Sequence, residues 1–391
     1  MPERQTVGLV IAGAGARGAY EAGALAALLP RLEEREMRPS VLVGTSAGAI
    51  NAAFLAAKLH LGAEQATRAL LDFWGSLDKA ALMGPLALTA VPALLGYAGR
   101  IAYLETGSGS IATFGRFPEV LDAAVGDWRQ ISANIDAGEL RAVGVVATAA
   151  TSGGSVVFLA ADGDVALPPN DDKKGIRYVR AQVEGDHVIA SSSIPIFFPP
   201  TRIRRPTEAE GWYWDGGTRL NTPIRPALSI GVDALVIVGT DPPRHPAARE
   251  GDDARKPDFD DAALHVLQAT LNDSVIEDLH SLVRVNEILI ATGQERLGRR
   301  RRYDYIFAGP DRHGVLGRTA AQTLREQYGG PLRALSDFAI LDRLLGRQGS
   351  QQAELQSYLL FDSDFIERLI GLGRAAGEEA WERGWLSDRL P

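Results

Sequence analysis

Two apolar runs near the start of the chain each break into a glycine turn and resume as helix. Val7–Ala12 leads into Gly13-Ala14-Gly15-Ala16-Arg17-Gly18, and a helical pattern follows over Ala19–Leu29. Val41–Val43 leads into Gly44-Thr45-Ser46-Ala47-Gly48, and a second helix is expected from Ala47 to Leu59. A strand that turns straight into a helix, twice in succession, commits the chain to a β-α-β-α order with short connections. That order builds an α/β fold with a mainly parallel sheet and helices on both faces. Further strands are expected at Ala142–Thr148, Ser155–Leu159, Val188–Ala190, Trp212–Trp214 and Ala234–Thr240. Long helical patterns occupy Asp261–Ala291 and Asp364–Arg383, while Pro242–Pro257 and Gly298–Arg302 read as loops. There is no internal repeat.

The 391 residues, 46% hydrophobic and 23% charged, suffice for a large buried core. With 41 basic and 49 acidic residues the net charge is -8, which argues against a nucleic-acid partner. The absence of cysteine excludes disulfides, zinc-thiolate sites and a thiol nucleophile. No metal is expected either: Asp162-Gly163-Asp164 and Asp171-Asp172 read as turns. The first apolar run is too short for a secretory core and flows into the glycine turn, so a cytoplasmic protein is expected. One segment, Ala80–Gly99, carries no charge over 20 residues. Gly84, Pro85, Pro92, Gly96 and Gly99 interrupt it, against a membrane span. It reads either as buried structure or, extended over 80–104, as a lid that covers an apolar pocket or touches a membrane surface.

The first turn has the form G-x-G-x-x-G after a strand, the fingerprint of a dinucleotide site. Such a site needs an acid at the end of the second strand to hold a ribose hydroxyl. Glu33, Glu34 and Glu36 come too early, and the second strand ends at Ser46 instead. The second turn, G-x-S-x-G between strand and helix, is the pattern of a nucleophile elbow. Gly44 and Gly48 fit the crowding of such a turn, and Ser46 would sit at its apex. A plain structural turn is the other reading of the same residues. Beside a serine nucleophile, the amides of Ala14, Gly15 and Ala16, with that of Ala47, could face an oxyanion rather than a phosphate.

A serine needs a base. The histidines are His60, His187, His245, His265, His280 and His313. Their order leaves a Ser-Asp-His arrangement formally open, but only one strand precedes the elbow, where an α/β-hydrolase has several. All six read as structural or solvated. The alternative lies in "GWYWDGGTRLNTP", residues 211–223, where Asp215 follows an aromatic strand and precedes Gly216-Gly217. Asp-Gly is a common turn pair, yet an acid at a strand end could also reach Ser46. A carboxylate, with an ordinary pKa of about 3.9, is a weak base until burial raises it.

Taken in order, G-x-G-x-R-G, G-x-S-x-G and D-G-G resemble the patatin-like phospholipase family. "ASSSIPIFFPP" at 190–200, the Asn221 and Pro223 that follow D-G-G, and "YLLFDSDFIERLIGLG" at 358–373 are similar to family segments. The resemblance implies a three-layer α/β/α fold with a helical C-terminal elaboration. It implies one domain over 1–391, with a motif-bearing core at 7–241 and a helical part at 258–391. It implies a serine acyl hydrolase with Ser46 as nucleophile, Asp215 as base, and the loop Gly13–Gly18 with Ala47 as oxyanion hole. No cofactor is implied. The substrate class is a lipid or other acyl ester, met in solution or at a peripheral membrane surface. The chain departs from the family at Ala14, where a third glycine is usual, and at Ser193, where a small apolar residue is frequent. Two other activities fit the same motifs: acyl transfer to a second substrate, and non-catalytic lipid binding, to which Ala14 gives the one support. Arg17 either ties down its loop or attracts a phosphate head group. The run Arg299–Arg302 reads as a solvated loop or as a contact to anionic lipid.

Overall fold

The computed structural model describes residues 5–77, 114–195, 197–244, 276–297, 300–328 and 350–391. The segment read as a lid, 80–104, lies outside them. The strands are β1 Val7–Ile11, β2 Val41–Thr45, β3 Ala142–Ala149, β4 Ser155–Ala161, β5 Ile176–Arg180, β6 Thr201–Ile203, β7 Gly211–Asp215, β8 Ala234–Val238, β9 Arg296–Leu297, β10 Arg300–Arg301 and β11 Asp304–Ala308. One sheet runs in the order β11-β8-β1-β2-β3-β4-β5, with β7 on β3 and β6 on β7. It is parallel from β11 to β3, and β4 then runs antiparallel to β3.

The continuous apolar strands are explained by which face each residue serves. Successive side chains of a strand point to opposite faces, so a strand covered on both sides needs apolar residues at every position. Leu9, Ile11, Leu42, Val236, Val238 and Ile306 join one core cluster. Their neighbours Val10, Val41, Val43, Leu235, Ile237 and Phe307 join another on the opposite face. The first face is covered by the helices α1 Gly18–Glu34, α2 Ala47–Lys58 and α3 Ala63–Ser76. Two shorter helices, α4 Phe117–Val125 and α5 Arg129–Asp136, extend that layer. The second face is covered by Ile224–Ile230 and by a helix over 276–291. The result is a three-layer α/β/α fold with a mainly parallel sheet. The C-terminal helices are Val315–Tyr328, Ser350–Leu359 and Ser363–Arg383. The last of them lies along α1, and its Phe365, Ile366 and Leu369 share the core of Leu25 and Leu28.

Two sequence expectations fail here. Val188–Ala190 is not a strand but part of the helix Gly185–Ser191. A reciprocal cap opens that helix: the Glu184 amide donates to His187 Nδ1, and the Glu184 side chain accepts from the His187 amide. A three-residue apolar run carries no period by which to tell the two structures apart. Arg300–Arg301, read as loop, pairs antiparallel with Arg296–Leu297. Of the pattern Asp261–Ala291, the described part from 276 onward is helical to 291. Among the described residues no helix is long and apolar enough to cross a membrane.

Candidate active site

Sheet register brings two distant motifs together. β2 ends at Thr45, which lies opposite Val146 of β3. The next residue of β3, Ala147, is opposite Asp215, the last residue of β7. The other edge of β3 is taken by β4 through Thr148. β2 and β7 therefore abut on one edge of β3 from opposite directions, and Ser46 meets Asp215 at the junction. Ser46 Oγ donates to Asp215 Oδ2 at 2.6 Å, and the Gly217 amide donates to Asp215 Oδ1 at 2.7 Å. Both side chains are buried.

The turn that presents Ser46 is strained. Ser46 has φ 54° and ψ -125°, outside the regions a side chain normally permits. The crowding behind it fixes the residue types: a Cβ on Gly48 would lie 2.3 Å from the Ala12 carbonyl oxygen and 2.4 Å from that of Ile11. The Ser46 amide donates to Ser191 Oγ at 2.8 Å, and Ser191 Oγ donates onward to the Val146 carbonyl at 2.5 Å. The Asp215 amide donates to the Ser193 carbonyl at 2.9 Å. One serine-rich segment thus anchors the backbone on both sides of the Ser46–Asp215 contact.

Burial drives the electrostatics. Removal from water pushes the Asp215 carboxyl up to about 7, and the bonds from Ser46 and Gly217 only partly oppose that rise. A carboxyl in this state takes up a proton readily near neutral pH while remaining able to lose it.

The Gly13–Gly18 loop lies across from the elbow. Its amides divide into two sets. Gly13 donates to the Asn221 carbonyl, Arg17 to that of Ala14, and Gly18 to those of Gly15 and Ala16. Among the described residues, the amides of Ala14, Gly15, Ala16 and Ala47 make no backbone hydrogen bond outside their own helical turns. Asn221 grips the loop a second time through its side-chain amide, which donates to the Gly13 carbonyl at 3.2 Å. Thr45 Oγ1 donates to the Leu220 carbonyl at 3.0 Å, tying the elbow to the same segment. Gly15, Ser46 and Ala47 open onto one apolar cleft lined by Ile50, Trp74, Phe117, Phe198, Leu359 and Phe361.

Arg17 is wholly buried and turned into the protein. It pairs with Glu354, faces Asp241 at 3.6 Å and stacks over Tyr358 at 4.0 Å, which is the tying role of its two readings. The histidines that fall among the described residues have other surroundings. His187 caps its helix and contacts the Arg205 carbonyl at 3.0 Å, and burial lowers its pKa. His280 and His313 approach the carbonyls of Pro243 and Arg244, and His60 is exposed. His245 and His265 lie outside the described residues. Arg301 is held by the Val232 carbonyl and Asp233, and Arg302 lies 3.8 Å from Asp304. The residue that sequence reasoning passed over is Ser191. It stands in the quoted "ASSSIPIFFPP", but nothing in the spacing tells which serine reaches the elbow.

The patatin-like phospholipase family matches residues 9–228 of this sequence. No curated protein matches it. Among solved structures, VipD from Legionella pneumophila aligns with 98% of this chain and 68% of its own, at 13% identity and a TM-score of 0.35. Human GIVD cytosolic phospholipase A2, solved in complex with methyl gamma-linolenyl fluorophosphonate, aligns with 97% of this chain at 12% identity and a TM-score of 0.36. The chain spans 60% of that protein's length.

Proposed function

The chain belongs to the patatin-like phospholipase family, a family of lipid acyl hydrolases, and from that premise we propose that it cleaves carboxylic esters of lipids through Ser46 and Asp215. The observation that carries the proposal is the 2.6 Å bond from a strained, buried Ser46 hydroxyl to a buried carboxylate. Ser46 Oγ attacks the ester carbonyl while its proton passes to Asp215. A charge costly to keep in a dry site is neutralised on Asp215 as the oxyanion forms. The oxyanion is held by amides from the set Ala14, Gly15, Ala16 and Ala47. One such donor is worth about 3 kcal/mol of transition-state stabilisation.

Collapse of the tetrahedral species expels the alcohol, which leaves with the proton from Asp215, and an acyl-Ser46 ester remains. Water then attacks that ester and gives a proton to Asp215. The second collapse returns this proton to Ser46 Oγ and releases the fatty acid. The apolar lining beside Ser46 favours a lipid ester over a small polar one. Further proposals follow from the same reading: one domain over 1–391, action at a peripheral membrane surface, and a cytoplasmic location.

The test is hydrolysis of a p-nitrophenyl acyl ester, followed from the first turnover. A burst of nitrophenol stoichiometric with enzyme, then a slower steady rate with fatty-acid release, is the expected signature. Ser46→Ala is expected to lose the burst and at least about a thousandfold in kcat. Full turnover in a folded Ser46→Ala variant would overturn the proposal.

A further inference from the structure

We infer that Glu354 and Ser357 are positioning residues for the reaction, holding Arg17 and, through it, the amides of the Gly13–Gly18 loop where an oxyanion can meet them. The catalytic consequence rests on the hydrolase reading above; the clamp itself rests on geometry.

Arg17 belongs to the loop, and its side chain is bonded to the helix Ser350–Leu359 through Nε and Nη2, while Nη1 faces Asp241, past the end of β8, at 3.6 Å. Nε donates to Ser357 Oγ at 2.7 Å. Nη2 donates to the Glu354 carbonyl at 3.0 Å and pairs with the Glu354 carboxylate. Ser357 Oγ in turn donates to the Glu354 carbonyl, so the helix presents a ready-made acceptor set. The planar guanidinium is held at two edges and on one face by Tyr358, which leaves it one orientation. Burial works against the charged form of Arg17, and the facing Tyr358, Glu354 and Asp241 more than restore it.

The contact continues along the backbone. Gly15 has φ +55°, and a Cβ there would lie 2.4 Å from the Tyr358 carbonyl oxygen. The helix thus presses on the loop at the residue that also opens onto the Ser46 cleft. Tyr358, Leu359 and Phe361 line the same cleft. A buried ion pair is poor support for a purely stabilising role, because desolvation offsets its attraction. It does supply direction, and oxyanion donors depend on placement: a shift of about 1 Å near a reacting centre can cost about a hundredfold. Glu354 and Ser357 lie outside the matched residues 9–228, 337 and 340 positions from the Arg17 they hold.

The experiment uses the full chain with Glu354→Gln and Ser357→Ala. Arg368→Ala, which removes an exposed ion pair to Glu326, serves as control. Hydrogen exchange of the bonded loop amides of Arg17 and Gly18 reads the clamp, and kcat and KM on a p-nitrophenyl ester read its consequence. Folded Glu354→Gln is expected to exchange these amides about tenfold faster, with exchange in the β-strands unchanged. Its kcat is expected to fall about tenfold with KM within about twofold, the mark of an interaction made in the transition state. Ser357→Ala should move both readouts the same way and less, and Arg368→Ala should move neither. Wild-type exchange of the Arg17 and Gly18 amides in folded Glu354→Gln would overturn the clamp. Faster exchange there with unchanged kcat would overturn the positioning role. If the wild-type chain turns over no ester, exchange still decides the clamp, so failure of the hydrolase reading and failure of this one are told apart.

Discussion

The two glycine turns look alike in sequence and are held in place by different means. The elbow at Gly44–Gly48 is fixed by its neighbours in the sheet. β2 feeds it, α2 carries it away, and the Ala12 and Ile11 carbonyls leave no room for a side chain at Gly48. The loop at Gly13–Gly18 is fixed from a distance, by Asn221 on one side and by Arg17 reaching Glu354 and Ser357 on the other. A nucleophile needs one strained residue, which local crowding can enforce. An oxyanion site needs several amides aimed at one point, and a short glycine-rich turn has too little structure of its own to aim them.

The largest effect that would break this contrast is on the elbow. Gly48→Ala puts a methyl group against two backbone carbonyls that cannot swing away, and is expected to destabilise the fold by about 3 kcal/mol. Chemical denaturation measures it. A loss within error of zero would mean that the elbow is not held by crowding. Smaller is the effect of Ser191→Ala, which strands the Ser46 amide and the Val146 carbonyl in a buried site at a cost of about 1–3 kcal/mol. Because it loosens the backbone of the nucleophile itself, kcat should fall about tenfold with KM little changed. Wild-type kcat in this variant would show that strand and helix alone hold the elbow, and so sharpen the contrast with the loop. The Glu354→Gln exchange experiment probes the other side of it. Tenfold faster exchange at Arg17 and Gly18 would support remote anchoring, and wild-type exchange would erase the difference between the turns.

The same contrast explains what the sequence made legible. The parallel sheet and the Ser46 turn could be read because each depends on residues a few positions apart: an apolar run, a glycine where the backbone is crowded, a helix after it. Asp215 could be nominated from its strand end and the glycines beside it. What brings it to Ser46, however, is the register of β7 and β2 on β3, which no local spacing encodes. Val188–Ala190 reads as strand in the sequence because its length carries no period, and the caps that settle the matter lie at Glu184 and His187. The helix Ser350–Leu359, polar along much of its length, gave no strong periodic signal, and its grip on Arg17 joins residues more than three hundred positions apart. Arg17 itself could be read two ways because its role depends on those partners.

The central claim is that Asp215 is the base for Ser46, and pH tests it most directly. The reactive form is the ionised carboxylate, so reactivity should be lost as pH falls through the raised value of about 7. The measurement is the rate of Ser46 labelling by a fluorophosphonate from pH 5.5 to 8.5, in the wild-type chain and in Asp215→Asn. The expected result is a rate that levels off above about pH 7.5 and falls roughly tenfold per unit below about pH 6.5 in wild type. Asp215→Asn should label at least about a hundredfold more slowly on the wild-type plateau, with that dependence gone. A flat wild-type profile, or labelling of folded Asp215→Asn at the wild-type rate, would contradict the pairing and return the search for a base to the remaining side chains around Ser46.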